Sequence, residues 1–409
     1  MADDVRMRGF RERASVESVI ALIDARVRNL SHEPVPLLEA GGRVLARDAH
    51  AMTNVPAFPR AAMDGYAVRA EETFGAAEGD SLRLEVRGEC LPGRAPDASV
   101  DPGTCVRIMT GAPLPPGADA VVPFEQTAPD GDHALIKGAV TPGKNVGAIG
   151  EDIEKGATVL RAGRRLKPQD LGVLSSLGYA RISCVRRPRV GLVVTGAELL
   201  PPGATPEGFA IVDANTPMLI ELVKRDGGTL LAGPIVKDDR DALREAIQVC
   251  AAQTECVLIA GGSSVGRKDH APSLIRELGE LPVHGVAMRP SSPAGAGFLG
   301  DTPAFLLPGN PVSCLCAYEF FAGRAIRRLA GRSPRWPHTT VRMPLAKKIA
   351  SELGRTDYVR VRIEGARVIP IAIRGASILS STTRAHGFVI VPADAEGHAE
   401  GDPVDVRLY

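Results

Sequence analysis

The segment Val190-Gly191-Leu192-Val193-Val194 is an apolar run without polar alternation. That pattern belongs to a parallel strand covered by helices on both faces. The chain beyond Val194 keeps the same beat. Thr216-Pro217 starts a helix that Gly227-Gly228 stops, Leu230 to Ile235 makes another strand, and Asp239 caps a helix with Ala242, Leu243, Ala246, Ile247 and Cys250 on its apolar face. Strand Cys256 to Ala260 runs into Gly261-Gly262-Ser263-Ser264-Val265-Gly266, and strand Ala304 to Leu307 runs into Pro308-Gly309-Asn310-Pro311 before a last helix. Strand alternating with helix at this spacing predicts a doubly wound, three-layer α/β domain over residues 188–332.

At 409 residues the chain exceeds one ordinary core, so two to four domains are expected. A first helix is predicted behind Ser15, an N-cap, with Val16, Val19, Ile20, Ile23, Val27 and Leu30 at helical spacing. After Asn54-Val55-Pro56 the pattern turns to strands, with Leu82, Leu84 and Val86 alternating against Arg83, Glu85 and Arg87. Residues 55–141 are therefore assigned to an inserted β-rich domain, and 1–54 with 142–187 to an elongated N-terminal domain. Arg332-Ser333-Pro334-Arg335-Trp336-Pro337 is a linker. Beyond it Val359, Val361 and Ile363 alternate, as do Val404, Val406 and Leu408, so residues 333–409 form a small, barrel-like β domain.

The 49 basic and 48 acidic residues give a formal charge of +1, which argues against a nucleic-acid partner, whose binding needs a clustered basic surface. The acidic Met1-Ala2-Asp3-Asp4 is unlike a signal peptide, and no segment reaches the roughly 18 apolar residues of a membrane span. A cytoplasmic protein with no membrane partner is expected. Seven scattered cysteines without a C-x-x-C pair fit reduced thiols, and eight histidines without ligand spacing argue against zinc.

Chemistry concentrates in a few loops. In an open parallel sheet, ligands sit beyond the carboxyl ends of the strands, where Thr195-Gly196-Ala197-Glu198, Gly261 to Gly266 and Pro308 to Asn310 all fall. Amides freed by glycine approach an anion closely, so a phosphorylated ligand is the natural occupant; a tight turn is the plain alternative for any one loop. The spacing matches neither a dinucleotide fingerprint nor a P-loop. Around the same edge stand Glu198, Asp213, Asp238 and Asp269. Oxygen donors without thiols or imidazole pairs favour Mg²⁺, with Asp238 and Asp269 as the metal candidates and helix capping as the plain alternative for Asp238 and Asp239. His270 is expected to be a surface or packing residue. In the first segment, Arg60 to Ala67 presents Asp64 between small residues, with Gly65 expected to let the backbone turn behind it.

Five motifs, in order, resemble the MoeA family of molybdopterin molybdotransferases, related to the C-terminal domain of gephyrin. They are A-M-D-G-Y-A at Ala62–Ala67, R-I-M-T-G-A-P at Arg107–Pro113, G-E-D-I at Gly150–Ile153, T-G-x-E-L at Thr195–Leu199 and L-P-G-N-P-V-S at Leu307–Ser313. The resemblance runs from about Val16 to Val406. It implies a homodimer of elongated four-domain subunits, in which the α/β domain binds molybdopterin and Asp64 reaches the site of the other subunit. The implied reaction places molybdenum from molybdate on adenylylated molybdopterin and releases AMP, assisted by Mg²⁺; molybdoenzymes and other proteins of cofactor biosynthesis are implied as further partners. By resemblance Asp64 and Thr110 are catalytic. Substrate binding falls to Asp152, Thr195, Glu198, Asp213, Gly261, Gly262, Ser263, Gly266, Pro308, Gly309, Asn310 and Pro311, the metal to Asp238 and Asp269, and molybdate to Arg289, Ser292, Arg355 and Ser377.

Several positions depart from the family pattern. Arg289-Pro290-Ser291-Ser292-Pro293 stands where K-P-G-K-P is usual, which keeps one cation and replaces the second by a hydroxyl. Gly147-Ala148-Ile149 lacks the usual basic residues, Ala197 and His270 replace an acid and a Tyr, and Ala376-Ser377 stands where Ser-Gly is usual. Two other functions are compatible with these features: a non-enzymatic carrier or scaffold for molybdopterin or the finished cofactor, and a nucleotide-binding protein, which leaves the N-terminal motifs unexplained.

Overall fold

The computed structural model describes residues 13–263, 269–372 and 375–409. Two compact units emerge: one holds residues 34–41 and 45–182, the other the chain up to Glu33, residues 42–44 and everything from Ser183 onward.

The larger unit contains the α/β domain. Its first helix, α1 (Val16–Arg26), is capped by the Ser15 side chain, which accepts from the Ser18 amide. The strands are β1 (Arg189–Thr195), β2 (Thr229–Val236), β3 (Cys256–Ala260), β4 (Glu280–His284), β5 (Met288–Arg289), β6 (Gly295–Leu299) and β7 (Thr302–Leu307). Between them lie α2 (Asn215–Asp226), α3 (Arg240–Gln253) and α4 (Ala271–Leu278), and after them α5 (Pro311–Ala317). The main sheet runs β2-β1-β3-β7-β6-β4. Its first four strands are parallel, while β6 and β4 pair antiparallel.

Successive residues of a strand point to opposite faces, and here both faces are covered. Val190, Leu192, Val194, Leu258 and Phe305 pack with α1, α2 and α5, whereas Val193, Val257, Ile259 and Leu306 pack with α3 and α4. That explains the unbroken apolar runs and makes the domain three-layered. Strand β2 lies at the sheet edge with Leu231 exposed. On α3, Asp239 caps through Ala242 N–H at 2.7 Å, and Leu243 and Ile247 are buried while Ala242 faces solvent.

Helix α1, assigned by sequence to the elongated first segment, buries Val16, Val19, Ile23 and Val27 in the α/β core. At about 1.5–3 kcal/mol per fully buried aliphatic side chain, this face is held firmly. Asp24 adds a forked ion pair to Arg324.

The tail forms a second sheet from β8 (Thr340–Pro344), β9 (Thr356–Glu364), β10 (Arg367–Ala372), β11 (Gly387–Val391) and β12 (Pro403–Leu408). Its order is β5-β9-β11-β12-β8, with β10 also on β9. Thus β5, a piece of the α/β segment, completes the C-terminal sheet, with Met288 opposite Thr356 and Arg289 opposite Asp357. Val359, Val361, Val389, Val404 and Val406 form its core.

In the smaller unit a six-stranded sheet lies between Gly65 and Ile136. It is antiparallel except where Leu82–Cys90 runs parallel to Thr104–Ile108. No helix among the described residues is long and apolar enough to cross a membrane.

Candidate functional site

Strand β1 leads to β2 on one side, and the chain then returns to β3 on the other, so the topology switches between β1 and β3. Ligands of open α/β sheets bind at such a point, outside the carboxyl ends. A cavity of about 600 Å³ opens there. Thr195 and Gly196 end β1, Gly261 and Gly262 follow β3, Pro308, Gly309, Asn310 and Pro311 follow β7, and all of them line the cavity.

Gly261 is required at its position. Its backbone lies at φ 92°, and a Cβ there would fall 2.2 Å from the Thr195 carbonyl oxygen. Its amide donates to Leu307 O at 3.0 Å, so the ends of β1, β3 and β7 are drawn together. Ser263, also in the wall, is buried, and its carbonyl oxygen accepts from His284 Nε2 at 2.9 Å. A carbonyl only accepts, which places the imidazole proton on Nε2. Burial pushes the His284 pKa down and favours this neutral form. Ser264, Val265 and Gly266 lie outside the described residues.

Glu198, Asp213, Asp238 and Asp269 all line the cavity, as expected, and no Lys or Arg does among the described residues. Asp213 also has a structural role: it is buried, and its Oδ1 accepts from the Asn215 and Thr216 amides at 2.8 and 3.2 Å, while Thr216 Oγ1 donates to its Oδ2. This carboxylate starts α2 and satisfies its first orphan amides. Asn215 was not signalled by any motif. It lines the cavity, donates Nδ2–H to Gly309 O at 2.9 Å, and leaves its buried Oδ1 without a partner. The local hint was only an Asp-x-Asn before a helix.

Ser377 lines the same cavity, as does Pro293. Arg289, Ser292 and Arg355 are not in its wall. Arg289 and Arg355 instead converge on Asp357, a fully buried carboxylate that the sequence did not single out, because its contact with Arg289 depends on the pairing of β5 with β9. Ser291 adopts φ 89°, and its hydroxyl donates to Ser313 O at 2.8 Å.

Asp64, Thr110 and Asp152 belong to the smaller unit. Asp64 and Thr110 are brought together: Asp64 Oδ1 accepts from the Thr110 hydroxyl and from its amide, both at 2.6 Å. Those two bonds, the hydroxyl first, hold the Asp64 carboxyl below its ordinary pKa. The group is exposed and ionised, one oxygen fixed by Thr110. Gly65 does not turn the backbone. It lies in strand Gly65–Val68, where a Cβ would meet Val122 O at 2.0 Å, so close strand approach is what demands glycine. Asp152 is exposed beside Val55, whose carbonyl accepts its amide.

The chain matches the MoeA N-terminal region (domains I and II) over residues 14–178, a probable molybdopterin-binding domain over 191–328, and the MoeA C-terminal region (domain IV) over 342–409. It is 36% identical to a putative molybdopterin biosynthesis protein of Methanocaldococcus jannaschii, over 93% of each chain. The chain belongs to the MoeA family. A second relative is molybdopterin molybdenumtransferase 2 of Mycobacterium tuberculosis, 35% identical over 91% of this chain and 94% of that one. Among solved structures, a MoeA molybdopterin biosynthesis protein from Pyrococcus horikoshii superposes with a TM-score of 0.84 at 33% identity, covering 97% of this chain and 99% of the other. As in that MoeA structure, the chain is a multidomain α/β and β protein.

Proposed function

We propose that this MoeA-family chain is a molybdopterin molybdenumtransferase of molybdenum cofactor biosynthesis, which uses molybdate and adenylylated molybdopterin and releases AMP. One observation carries the reading: a roomy cavity at the β1/β3 switch point, walled by glycine-loop backbone and four carboxylates. The glycine loops after β3 and β7 let a phosphoanhydride come close to backbone, and fixed dipoles there stabilise charge as that bond breaks.

A wall rich in carboxylates needs a cation before it accepts a phosphorylated guest. Among the described residues no three His, Cys, Asp or Glu side chains are placed to hold a metal alone. Asp238 and Asp269, both in the wall, are oxygen donors of the kind that suits Mg²⁺ held jointly with substrate phosphate. When bound there, Mg²⁺ would neutralise phosphate charge and leave the anhydride more electrophilic.

Molybdate falls to Arg289, Ser292, Arg355 and Ser377. Arg289 Nε, Arg355 Nη2 and Ser292 Oγ are buried without partners. Each such atom costs about 1–3 kcal/mol when left unpaired, a set of donors short of an acceptor. A tetrahedral oxyanion supplies one.

Asp64 completes the reading from the other side of a homodimer. A depressed pKa makes it a weak base and a good acceptor, so its role is to orient a donor such as water at the phosphate, with Thr110 fixing its direction. Asp152 is assigned to the same substrate. The test is Asp64→Asn in purified protein supplied with adenylylated molybdopterin, molybdate and Mg²⁺. AMP release should be abolished and pterin binding kept. Pterin binding without AMP release by the wild type would make the protein a carrier instead.

A further inference from the structure

The arginines assigned to molybdate are not independent groups on a surface. Arg289 and Asp357 stand opposite each other where β5 joins β9, so backbone pairing sets their separation. The Asp357 side chain is 0% exposed, and those of Arg289 and Arg355 are each 21% exposed. Arg289 donates from Nη2 to Asp357 Oδ2, Ser351 Oγ donates to the same oxygen at 2.8 Å, and Arg355 donates from Nε to Oδ1 at 3.1 Å. Arg355 is steadied further by Nη1 on Glu352 Oε2 at 2.7 Å. Of the two arginines that hold this carboxylate, Arg289 Nε and Arg355 Nη2 remain buried and unpaired.

Two guanidinium groups repel each other, and long side chains at a surface sample many rotamers. A buried carboxylate between them removes both problems, since charge-assisted bonds are directional and strong away from water. The same carboxylate is also a negative charge beside a site meant for a dianion, and on Coulomb grounds alone it weakens binding. The geometry decides between these effects: complete burial and three donors make Asp357 an anchor whose charge is already spent on its own arginines.

We propose that Asp357 is a positioning residue for oxyanion binding, holding the partly exposed guanidinium groups of Arg289 and Arg355 at a fixed spacing so that their joint positive charge is presented to a tetrahedral dianion. The proposal rests on the assignment of Arg289 and Arg355 to molybdate. Its sign runs against simple electrostatics, because removing a negative charge should weaken the binding of an anion.

The experiment is calorimetric titration of sodium molybdate into the full-length protein, for wild type, Asp357→Asn, Ser351→Ala and Arg289→Ala, with thermal melts to confirm folding. Asp357→Asn should weaken molybdate binding about tenfold or more, and Ser351→Ala, which only loosens the carboxylate, by a smaller factor of about two to five. In turnover, KM for molybdate should rise by the same factor, with KM for adenylylated molybdopterin unchanged within about twofold. If Asp357→Asn does not fold, Ser351→Ala decides. Wild-type or tighter affinity in folded Asp357→Asn, beside a loss in Arg289→Ala, overturns the positioning role alone. Wild-type affinity in Arg289→Ala overturns the molybdate assignment and the proposal with it.

Discussion

Gly261 and Gly309 face the same cavity, yet alanine should be costly at the first position and nearly neutral at the second. A Cβ on Gly261 would lie 2.2 Å from Thr195 O, where contacts under 3.0 Å are essentially never seen, and the backbone there has φ 92°. The loop must therefore yield by at least about 0.8 Å, and a left-handed backbone for a residue with a Cβ costs about 1–2 kcal/mol. Adding about 1–3 kcal/mol for overpacking gives a destabilisation of roughly 2–5 kcal/mol. A misplacement near 1 Å at a catalytic wall costs on the order of 100-fold in rate. At Gly309 a Cβ would meet only Gly261 Cα at 3.7 Å, ordinary contact, without a positive φ. Gly309→Ala should leave both stability and AMP release near wild type. The assay is AMP release under saturating molybdate, beside thermal melts of both variants. Equal activity of the two alanine variants would refute the argument that the Gly261 to Thr195 approach sets the cavity.

Single contacts set three other outcomes. Thr110→Val removes the hydroxyl that most depresses the Asp64 pKa, so that pKa should rise toward its ordinary value and the acid limb of the pH–rate profile should move to higher pH; an unmoved limb would detach Asp64 from it. Asp170 is buried, accepts from Arg164 Nε and Nη2 at 2.9 and 2.8 Å and from the Lys167 amide, and has a lowered pKa, with the Arg164 bond as the first cause. Its contribution is present above the unfolded carboxyl pKa and lost as pH falls through the lower folded value. Asp170→Asn should therefore cost about 1–3 kcal/mol at neutral pH in urea melts and little at strongly acid pH. Chelation of divalent cations should stop AMP release and Mg²⁺ should restore it, with Asp269→Asn raising the Mg²⁺ concentration required; full activity in chelator would remove the metal from Asp238 and Asp269.

Much of the site was legible because its signals are local. A glycine that must sit near a carbonyl, a proline at a helix start and an Asp that caps α3 act within a few residues, so Gly261, Pro311 and Asp239 could be read along the chain. The same locality hid other residues. Asn215 works through Gly309, ninety-four positions away, and His284 through the Ser263 carbonyl, twenty-one away. Sequence assigned Arg289 and Arg355 to an anion without Asp357, because the three meet only when β5 joins a sheet formed far downstream.

By itself the sequence determined the family, the alternation of strands and helices from Val190 onward, and the loops that end the central strands, since periodicity and turn chemistry depend on neighbouring residues. It could show that α1 has an apolar face but not that this face packs with Val190 and Leu258. The antiparallel β4–β6 edge, the capture of β5 by the C-terminal sheet and the burial of Asp357 were decided by tertiary structure. Register and burial depend on which distant surface a segment covers, and local patterns leave that partner open.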